Sequence, residues 1–148
     1  MSLEQTINAD LKTAMLAKDE KSVRSLRAIK AALITARTAE GSAGAVSEAQ
    51  ELTLLQKLVK QRRDSITIFQ QQQRTDLANK ELEEVEVIER YLPAQLGPEA
   101  LRAALGDIIA RLGAKGPADM GKVMGAANKE LAGRADGKTI AAVVKELL

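Results

Sequence analysis

The sequence predicts an all-α, multihelical protein with two helical subdomains. Apolar residues recur at intervals of three and four along the whole chain, and no segment alternates apolar and polar residues as a strand does. Capping signals precede several of these apolar stripes. Pro93 and Pro98 interrupt the pattern as a compact linker would. We therefore expect helical hairpins in residues 1–94 and a three-helix unit in residues 95–148.

Polar caps mark the first two predicted helices. Ser2 and Gln5 have capping-box spacing, and the apolar stripe after them predicts a helix to about residue 18. Asp19 is expected to cap a second helix that runs to about residue 40. The following Gly-Ser-Ala-Gly segment, residues 41–44, predicts a flexible break.

The third and fourth helices complete the predicted first subdomain. Ser47 and Gln50 repeat the capping-box spacing before a long helix that is expected to end near residues 70–73. Thr75 or Asp76 is expected to cap the fourth helix, which continues until Pro93 forbids it.

Three further helices are predicted after residue 95. The fifth begins near Pro98 and closes at Gly113, because proline suits a first turn and glycine suits a helix end. Pro117 is expected to open a sixth helix that ends at Gly133. Asp136 is expected to cap the last helix.

Composition excludes several kinds of chemistry. The chain has no cysteine and no histidine, which removes disulfides, thiolate nucleophiles, imidazole bases and zinc sites built from those ligands. One Phe, one Tyr and no Trp argue against a base-stacking platform. We expect no metal and no cofactor.

The amino-terminal sequence and the hydropathy pattern bear on location. The first residues carry neither a basic start nor an apolar run, and no apolar stretch reaches the length of about 18 residues needed to span a membrane. We expect a cytoplasmic protein that does not contact membranes, and a monomer.

The charge of the chain is small and unevenly distributed. Net charge is +2, and residues 94–148 hold 8 basic and 6 acidic residues, whereas residues 1–93 hold 14 of each. Such an excess is too small for nonspecific nucleic-acid binding, so anion binding must come from local clusters.

The strongest local clusters lie near the carboxyl end, in residues 119–124 and 133–138. Each combines glycine with a cation, an arrangement that suits recognition of a phosphate or carboxylate. The alternative is structural, since Gly133 can end one helix and Asp136 can cap the next.

A second set of cations lies on the second and third helices. Arg27 with Lys30, and Lys57 with Lys60, have spacings that place each pair on one helical face, and Arg63 lies close by. These pairs can span phosphates, or they can form a solvated face offset by neighbouring carboxylates.

The fourth helix is acidic, with five glutamates in residues 81–89. Paired carboxylates can do acid–base work or bind Mg²⁺. Without a second acidic cluster or a phosphate-binding loop, we expect these glutamates to form a solvent face opposite the basic helices. We also expect no catalytic residues, because nothing in mid-helix provides an oxyanion hole beside Lys60 and Ser65.

With these residues laid out, the chain resembles the GatB/YqeY family, whose small members are similar to the tail domain of the B subunit of the tRNA-dependent glutamine amidotransferase. The resemblance covers nearly the whole length. It rests on residues 24–30, 57–66, 76–78, 91–96, 119–124 and 133–138, together with Glu81. One departure is Gln73 before Arg74, where family members usually carry glycine, so the shape of that turn is left open.

The resemblance implies an all-helical protein in two subdomains with a link to tRNA. In the amidotransferase the tail is understood to contact tRNA, whereas kinase and transamidation chemistry lie in another domain. The family label of carbon–nitrogen ligase activity with glutamine as amide donor would therefore attach by kinship. Its implied partners are tRNA and an amidotransferase or aminoacyl-tRNA-synthetase-type protein.

Carried over to this sequence, the tRNA-contacting candidates are the residues that match the carboxyl-terminal motifs. They are Gly121, Lys122, Arg134, Gly137 and Lys138. Cations there can meet phosphates while glycines admit the backbone closely. Alternatively, Gly121 lets two helices cross closely and Lys122 remains in solvent.

Three functions compete. The first hypothesis is a tRNA-binding accessory module without its own catalysis. The alternative is a protein–protein interaction module with no nucleic-acid role. A third is an amide-transferring enzyme, which requires activity from the purified chain and its loss on removal of Asp64 or Ser65.

Overall fold

All regular elements in the described part of the protein, residues 2–39 and 44–148 of the computed structural model, are helical. The all-α prediction is confirmed. The chain divides into two compact units, Met1–Leu92 and Pro93–Leu148. The first unit contains α1 (Leu3–Leu16), α2 (Glu20–Thr38), α3 (Glu48–Gln71) and α4 (Thr75–Glu89). The second contains α5 (Pro98–Leu112), a 3₁₀ turn (Pro117–Asp119), α6 (Met120–Glu130) and α7 (Gly137–Leu147).

Two sequence predictions concern the break after α2 and the absence of a membrane-spanning segment. The predicted break at residues 41–44 lies outside the described residues except for Gly44, whose φ is 77°. Within the described ranges, no helix combines the length and apolar character needed to cross a bilayer.

The predicted capping boxes are confirmed. Ser2 Oγ accepts the Gln5 N–H at 3.2 Å, and Gln5 Oε1 accepts the Ser2 N–H at 3.0 Å. Ser47 and Gln50 make the same reciprocal pair at 3.2 and 2.8 Å. Asp19 caps α2 as predicted, with its Oδ1 accepting the Ser22 N–H at 3.2 Å. These contacts satisfy amide groups that a helix start leaves unpaired, which fixes where each helix begins.

The predicted cap of α4 is wrong. Arg74 occupies the cap position, without a side-chain cap hydrogen bond, and Thr75 is already helical. The Asp76 carboxylate instead accepts two hydrogen bonds from the Arg74 guanidinium, at 3.1 and 3.0 Å. The chain enters α4 through Gln73, whose φ of 59° lies in the left-handed region. Because that reversal directs Arg74 N–H to Phe69 O at 2.8 Å, the turn is closed by backbone bonds.

The first unit is built from two helical hairpins, α1 with α2 and α3 with α4. Its main core joins all four helices, with Ile7, Ile29, Leu55 and Ile88 at its centre. A smaller cluster, which includes Ile66, extends the α3–α4 contact toward its turn. Burial of these aliphatic side chains supplies the main stabilisation, at about 1.5–3 kcal/mol for each large one.

The second unit is a three-helix cluster around Leu105, Val123, Ile140 and Val144. Gly113 ends α5 in the left-handed conformation with φ 66°, as the sequence predicts. The sixth helix differs from prediction at both ends. Its first residues form a separate 3₁₀ turn, and α6 stops at Glu130, three residues before Gly133.

We expect Gln73→Gly to raise the free energy of unfolding by about 1 kcal/mol, because glycine adopts positive φ without the steric cost of a side chain. Urea unfolding followed by circular dichroism would measure the change. Gln72→Gly is the matched control, since its φ is −87° and glycine gains nothing there. Equal effects at both positions would contradict a strained turn.

Candidate nucleic-acid interface

The turn between α6 and α7, residues 131–136, carries the candidate Arg134. Gly133 is buried with φ 76°, a conformation that favours glycine. Arg134 N–H donates to Leu131 O at 2.9 Å, which closes the turn after α6. Asp136 then caps α7 as predicted, with its Oδ1 accepting the Thr139 N–H at 2.6 Å. Asp136 therefore has the structural role given by the alternative interpretation of this motif. Gly133 does not end α6, whose C-cap is Leu131, but it allows the positive φ of the turn that follows.

The start of the second unit is bonded to this turn. Leu96 N–H donates to Arg134 O at 3.0 Å, and Gln95 Nε2 donates to Gly133 O at 2.6 Å. Arg134 Nε donates to Ala94 O at 3.2 Å. Two of the sequence motifs that carried the family resemblance, residues 91–96 and 133–138, thus meet through one backbone–backbone and two side chain–backbone hydrogen bonds. Sequence spacing gave no indication of this pairing, because about forty residues separate them.

Arg134 and Lys138 nevertheless present cationic groups to solvent. Only Nε of Arg134 is bonded, and its two terminal amino groups have no partner among the described residues. Lys138, in the first turn of α7, is exposed and forms no ion pair with any described residue. Gly137 is exposed as well, and a Cβ there would meet no heavy atom within 4 Å. The arrangement offers hydrogen-bond donors and positive charge next to open backbone.

Gly121 and Lys122 lie at the opposite end of α6. Lys122 Nζ is 3.5 Å from Leu112 O, a long contact with the end of α5. A Cβ at Gly121 would meet no heavy atom within 4 Å. Within this unit, therefore, Gly121 does not serve a close crossing of helices, and its backbone faces open space.

The five carboxyl-terminal candidates form two groups. Lys122 is in the first turn of α6, whereas the Gly133–Lys138 motif follows its last turn. Eight residues of helix from Lys122 to the end of α6 advance about 12 Å along the axis. Gly121 with Lys122, and Arg134 with Gly137 and Lys138, are therefore separate groups at the two ends of α6.

The second basic set is also divided. Lys30 lines a groove with α1, whereas Lys57 lines a cavity with Ala32 and Ala36 on another face of α2. Arg63 is engaged by Glu89, with Nη2 to Oε1 at 2.8 Å. Arg27, Lys30, Lys57 and Lys60 form no ion pair within the described ranges. The predicted pairs remain available on their own helices, but they do not share one surface.

The prediction that the glutamates of α4 form a solvent face is wrong. These glutamates do not form a solvent face opposite the basic helices, because four of them pair with cations of α2 and α3. The pairs are Lys21–Glu86 at 2.7 Å, Arg24–Glu83 at 3.1 Å, Arg63–Glu89 at 2.8 Å and Glu84 with both Arg24 and Arg62. No group of three or more carboxylates placed to hold a metal ion occurs among the residues described.

Glu84 is the most enclosed member of this network. Its Oε1 lies 3.9 Å from Arg24 Nε and 3.7 Å from Arg62 Nη2, and its side chain is only 13% exposed. Arg62 is held further by donation from Nη1 to Leu58 O at 3.0 Å. Burial, and then the neighbouring Glu84 charge, raise the pKa of Glu81. Three residues of the family motifs, Arg24, Arg62 and Glu81, thus meet beside Glu84 in a charged cluster between helices.

The residues of the enzyme hypothesis are not assembled into a nucleophilic pair. Ser65 Oγ donates to Gln61 O at 3.1 Å, on its own helix. Such back-bonding satisfies the hydroxyl within the helix. Asp64 is exposed on the same helix.

A cavity of about 410 Å³ in the first unit, lined by both polar and apolar residues, was missed by sequence reasoning. Asp10, Asp19, Arg90 and Tyr91 are among its lining residues. The Tyr91 hydroxyl donates to Asp10 Oδ2 at 2.5 Å, across a sequence separation of 81 residues. Burial, together with this hydrogen bond and the Asp10 charge, raises the pKa of Tyr91 well above its ordinary value. The one sequence signal for this cavity was Tyr91, the single tyrosine, which stands before Leu92 and Pro93.

Fold and candidate site together define an all-helical protein of two units whose second unit presents an exposed basic turn at a helix start. A family model described as Yqey-like protein matches residues 4–148. The chain therefore belongs to the YqeY-like family, as the resemblance of its motifs predicted.

A curated relative gives a second comparison. The chain is similar to Altered inheritance of mitochondria protein 41, mitochondrial, from Clavispora lusitaniae (strain ATCC 42720), with 41% identity over 91 residues. The aligned region is 62% of this chain and 52% of that relative, so the match spans about half of the relative's length.

This comparison corrects the expected cytoplasmic location. The relative is named as a mitochondrial protein, which contradicts an assignment to the cytoplasm based on the first residues of the chain. Targeting segments are separate from the folded domain and are often removed, so the residues of the domain itself do not decide the compartment.

We expect Asp10→Asn to lower the pKa of Tyr91 toward its ordinary value of about 10, because the carboxylate no longer opposes the phenolate. Tyr91 is the only tyrosine of the sequence, so tyrosinate absorbance during an alkaline titration reports on this residue alone. Identical titration curves for both proteins would contradict the coupling.

The same linkage predicts the direction of alkaline stability. The pKa of Tyr91 is raised in the folded protein. The protonated Tyr91 therefore contributes to the free energy of unfolding fully below a pH of about 10, and this contribution is lost as pH rises through the folded pKa. Asp10→Asn should flatten this decline, which urea unfolding at several alkaline pH values would measure.

Proposed function

We propose that this protein is a tRNA-binding accessory module, without a catalytic site of its own, that acts beside or in the manner of a glutamine-dependent tRNA amidotransferase. Membership of the YqeY-like family supports the proposed relation to the amidotransferase. The carbon–nitrogen ligase label of that family rests on the relationship alone. The observation on which the proposal depends most is the α6–α7 turn, beside the first turn of α7. There the terminal amino groups of Arg134 and the ammonium of Lys138 have no partner among the described residues.

Phosphate is the ligand that this turn suits best. A guanidinium with two free amino groups can donate to two phosphate oxygens, and Lys138 adds a mobile positive charge beside it. The α7 start contributes amide groups and a favourable dipole, although the Asp136 carboxylate offsets part of that field. Contacts of this kind position a nucleic acid without reading its sequence, so specificity for tRNA would come from shape.

Gly121 and Lys122 are proposed as a second, separate phosphate contact. Lys122 and the end of α6 are separated by about 12 Å along the helix axis. The Arg134 turn lies beyond that end, so Lys122 would engage another stretch of RNA backbone. In this arrangement the second unit bridges two parts of one RNA. Arg27, Lys30, Lys57 and Lys60 of the first unit are proposed as auxiliary contacts, and Arg63 contributes least because Glu89 engages it.

We expect labelled tRNA to bind the full chain with an affinity that falls with salt at a log–log slope of about −0.7 to −0.9 per phosphate contact. Lys138→Ala should weaken binding and reduce that slope by about one contact. Fluorescence anisotropy across a salt series measures both quantities. Lys145→Ala is the matched control, because Lys145 is an exposed lysine at the other end of α7 that pairs with no described residue.

Arg134 needs a separate stability readout because its Nε is bonded to Ala94 O. Arg134→Ala should weaken binding at temperatures where circular dichroism reports a folded protein. Absence of saturable binding at low salt, or equal losses for Lys138→Ala and Lys145→Ala, would overturn the proposed module.

Gly121→Ala separates folding from binding. Its Cβ would meet open space, and alanine favours a helix over glycine by about 1 kcal/mol, so the free energy of unfolding should rise or stay unchanged. If RNA approaches the backbone there, the added methyl group should weaken tRNA binding. Gly125→Ala, equally open on the same helix, is the control in anisotropy and urea unfolding. Unchanged tRNA affinity in Gly121→Ala would remove this contact from the proposal.

A further inference from the structure

The tip of the α1–α2 hairpin exposes two large apolar side chains. Met15 is 52% exposed and Leu16 is 78% exposed, the highest values among the large hydrophobic residues described. They end α1, just before the reversal at Lys18, whose φ is 57°. Burying these two side chains would remove apolar surface that the fold itself leaves in water.

Unpaired cations surround this apolar tip. Lys12 and Lys18 flank it on α1 and the following turn, and Arg27 and Lys30 approach it from α2. None of these four forms an ion pair with a described residue. Glu20 is the single carboxylate in the lining of the same surface. The tip therefore combines apolar side chains with an unbalanced positive charge.

The surface around Met15 is concave on two sides. One groove, of about 550 Å³, runs between α1 and Lys30, and a second, of about 650 Å³, reaches Val23 and Arg27. Met15 lines both. Grooves with apolar floors and charged rims match the way in which amphipathic helices are bound, and an unbranched methionine adapts readily to such a partner.

We propose that the α1–α2 tip, defined by Lys12, Met15, Leu16, Lys18, Arg27 and Lys30, docks an acidic amphipathic helix of a partner protein. Apolar residues of that helix cover Met15 and Leu16, while its carboxylates pair with the four cations. A bilayer surface would not enter two grooves, and RNA would leave the aliphatic side chains uncovered. A second copy of this chain is a poor donor, because four glutamates of its acidic helix α4 already pair with its own cations.

The test uses a fluorescein-labelled peptide of about 18 residues, long enough to form a helix, with Glu on its polar face and Leu on its apolar face. We expect saturable binding to the full chain that weakens with salt. Leu16→Ser, and separately Lys12→Glu with Lys30→Glu, should each lower the affinity by at least about tenfold. Leu16 is almost fully exposed, so its replacement leaves the core intact.

Matched controls lie elsewhere in the same unit. Ile68→Ser removes another exposed apolar residue, 51% exposed on α3, and Lys57→Glu with Lys60→Glu reverses charge on that helix. Neither should change peptide affinity by as much as the tip variants do. A peptide with Lys in place of Glu should not bind.

Several outcomes would overturn the docking surface. These are no binding of the acidic peptide at low salt, equal losses in tip and control variants, or binding to phosphatidylserine-containing vesicles in place of the peptide. Leu16→Ser also keeps this proposal distinct from the tRNA module, since an aliphatic side chain makes no phosphate contact and tRNA affinity should stay unchanged.

Discussion

The close packing of α4 against α2 and α3 depends on neutralising the charges that these helices bring with them. Glu84 lies between Arg24 and Arg62 with only 13% of its side chain exposed, and Arg62 is 15% exposed. Removing Glu84 would leave the enclosed Arg62 without its ion-pair partner, which costs far more than an exposed pair contributes. Because Ile88 and Val85 of the same helix fill the apolar clusters, the ionic pairing and the core fix the same arrangement of helices. Arg62 Nε, buried without a hydrogen-bond partner in the described ranges, indicates that this pairing is not fully satisfied.

The second unit depends on a different constraint, the bonding of residues 94–96 to the turn at Gly133 and Arg134. Three hydrogen bonds join these segments, and two of them are independent of the arginine side chain. The Leu-Pro-Ala-Gln-Leu and Gly-Arg motifs are therefore explained in part by structure. Nε of Arg134 holds residues 94–96 against the turn, while its terminal amino groups have no partner in the described part of the chain.

Local signals in the sequence predicted most helix starts, but they did not predict contacts between residues far apart in the chain. Ser2, Ser47, Asp19 and Asp136 cap their helices because each contact joins residues three apart. Thr75 and Asp76 are not caps because α4 begins at Thr75, after Arg74 in the cap position. The Asp76 carboxylate accepts hydrogen bonds from the Arg74 guanidinium instead. The Asp10–Tyr91 bond and the α4 ion pairs join residues far apart in the chain, and periodicity carries no information about which helix faces which. The candidate site shows the same difference between local and distant information. Its residues were predicted from sequence motifs, but only the structure shows that they are divided between the two ends of α6.

In the proposed phosphate contacts, preorganisation favours the α6–α7 turn over the helical faces. A lysine on an open helix, such as Lys57 or Lys60, loses rotamer freedom when it binds a phosphate, at a cost of about 0.5–1.5 kcal/mol for each ordered side chain. Arg134 has lost part of that freedom already, because its Nε is bonded to Ala94 O. Its planar guanidinium then needs little further ordering to donate from its remaining amino groups. The same bond that stabilises the unit would thus lower the cost of recognition, which is a reason for an arginine at this position where a lysine would serve charge alone.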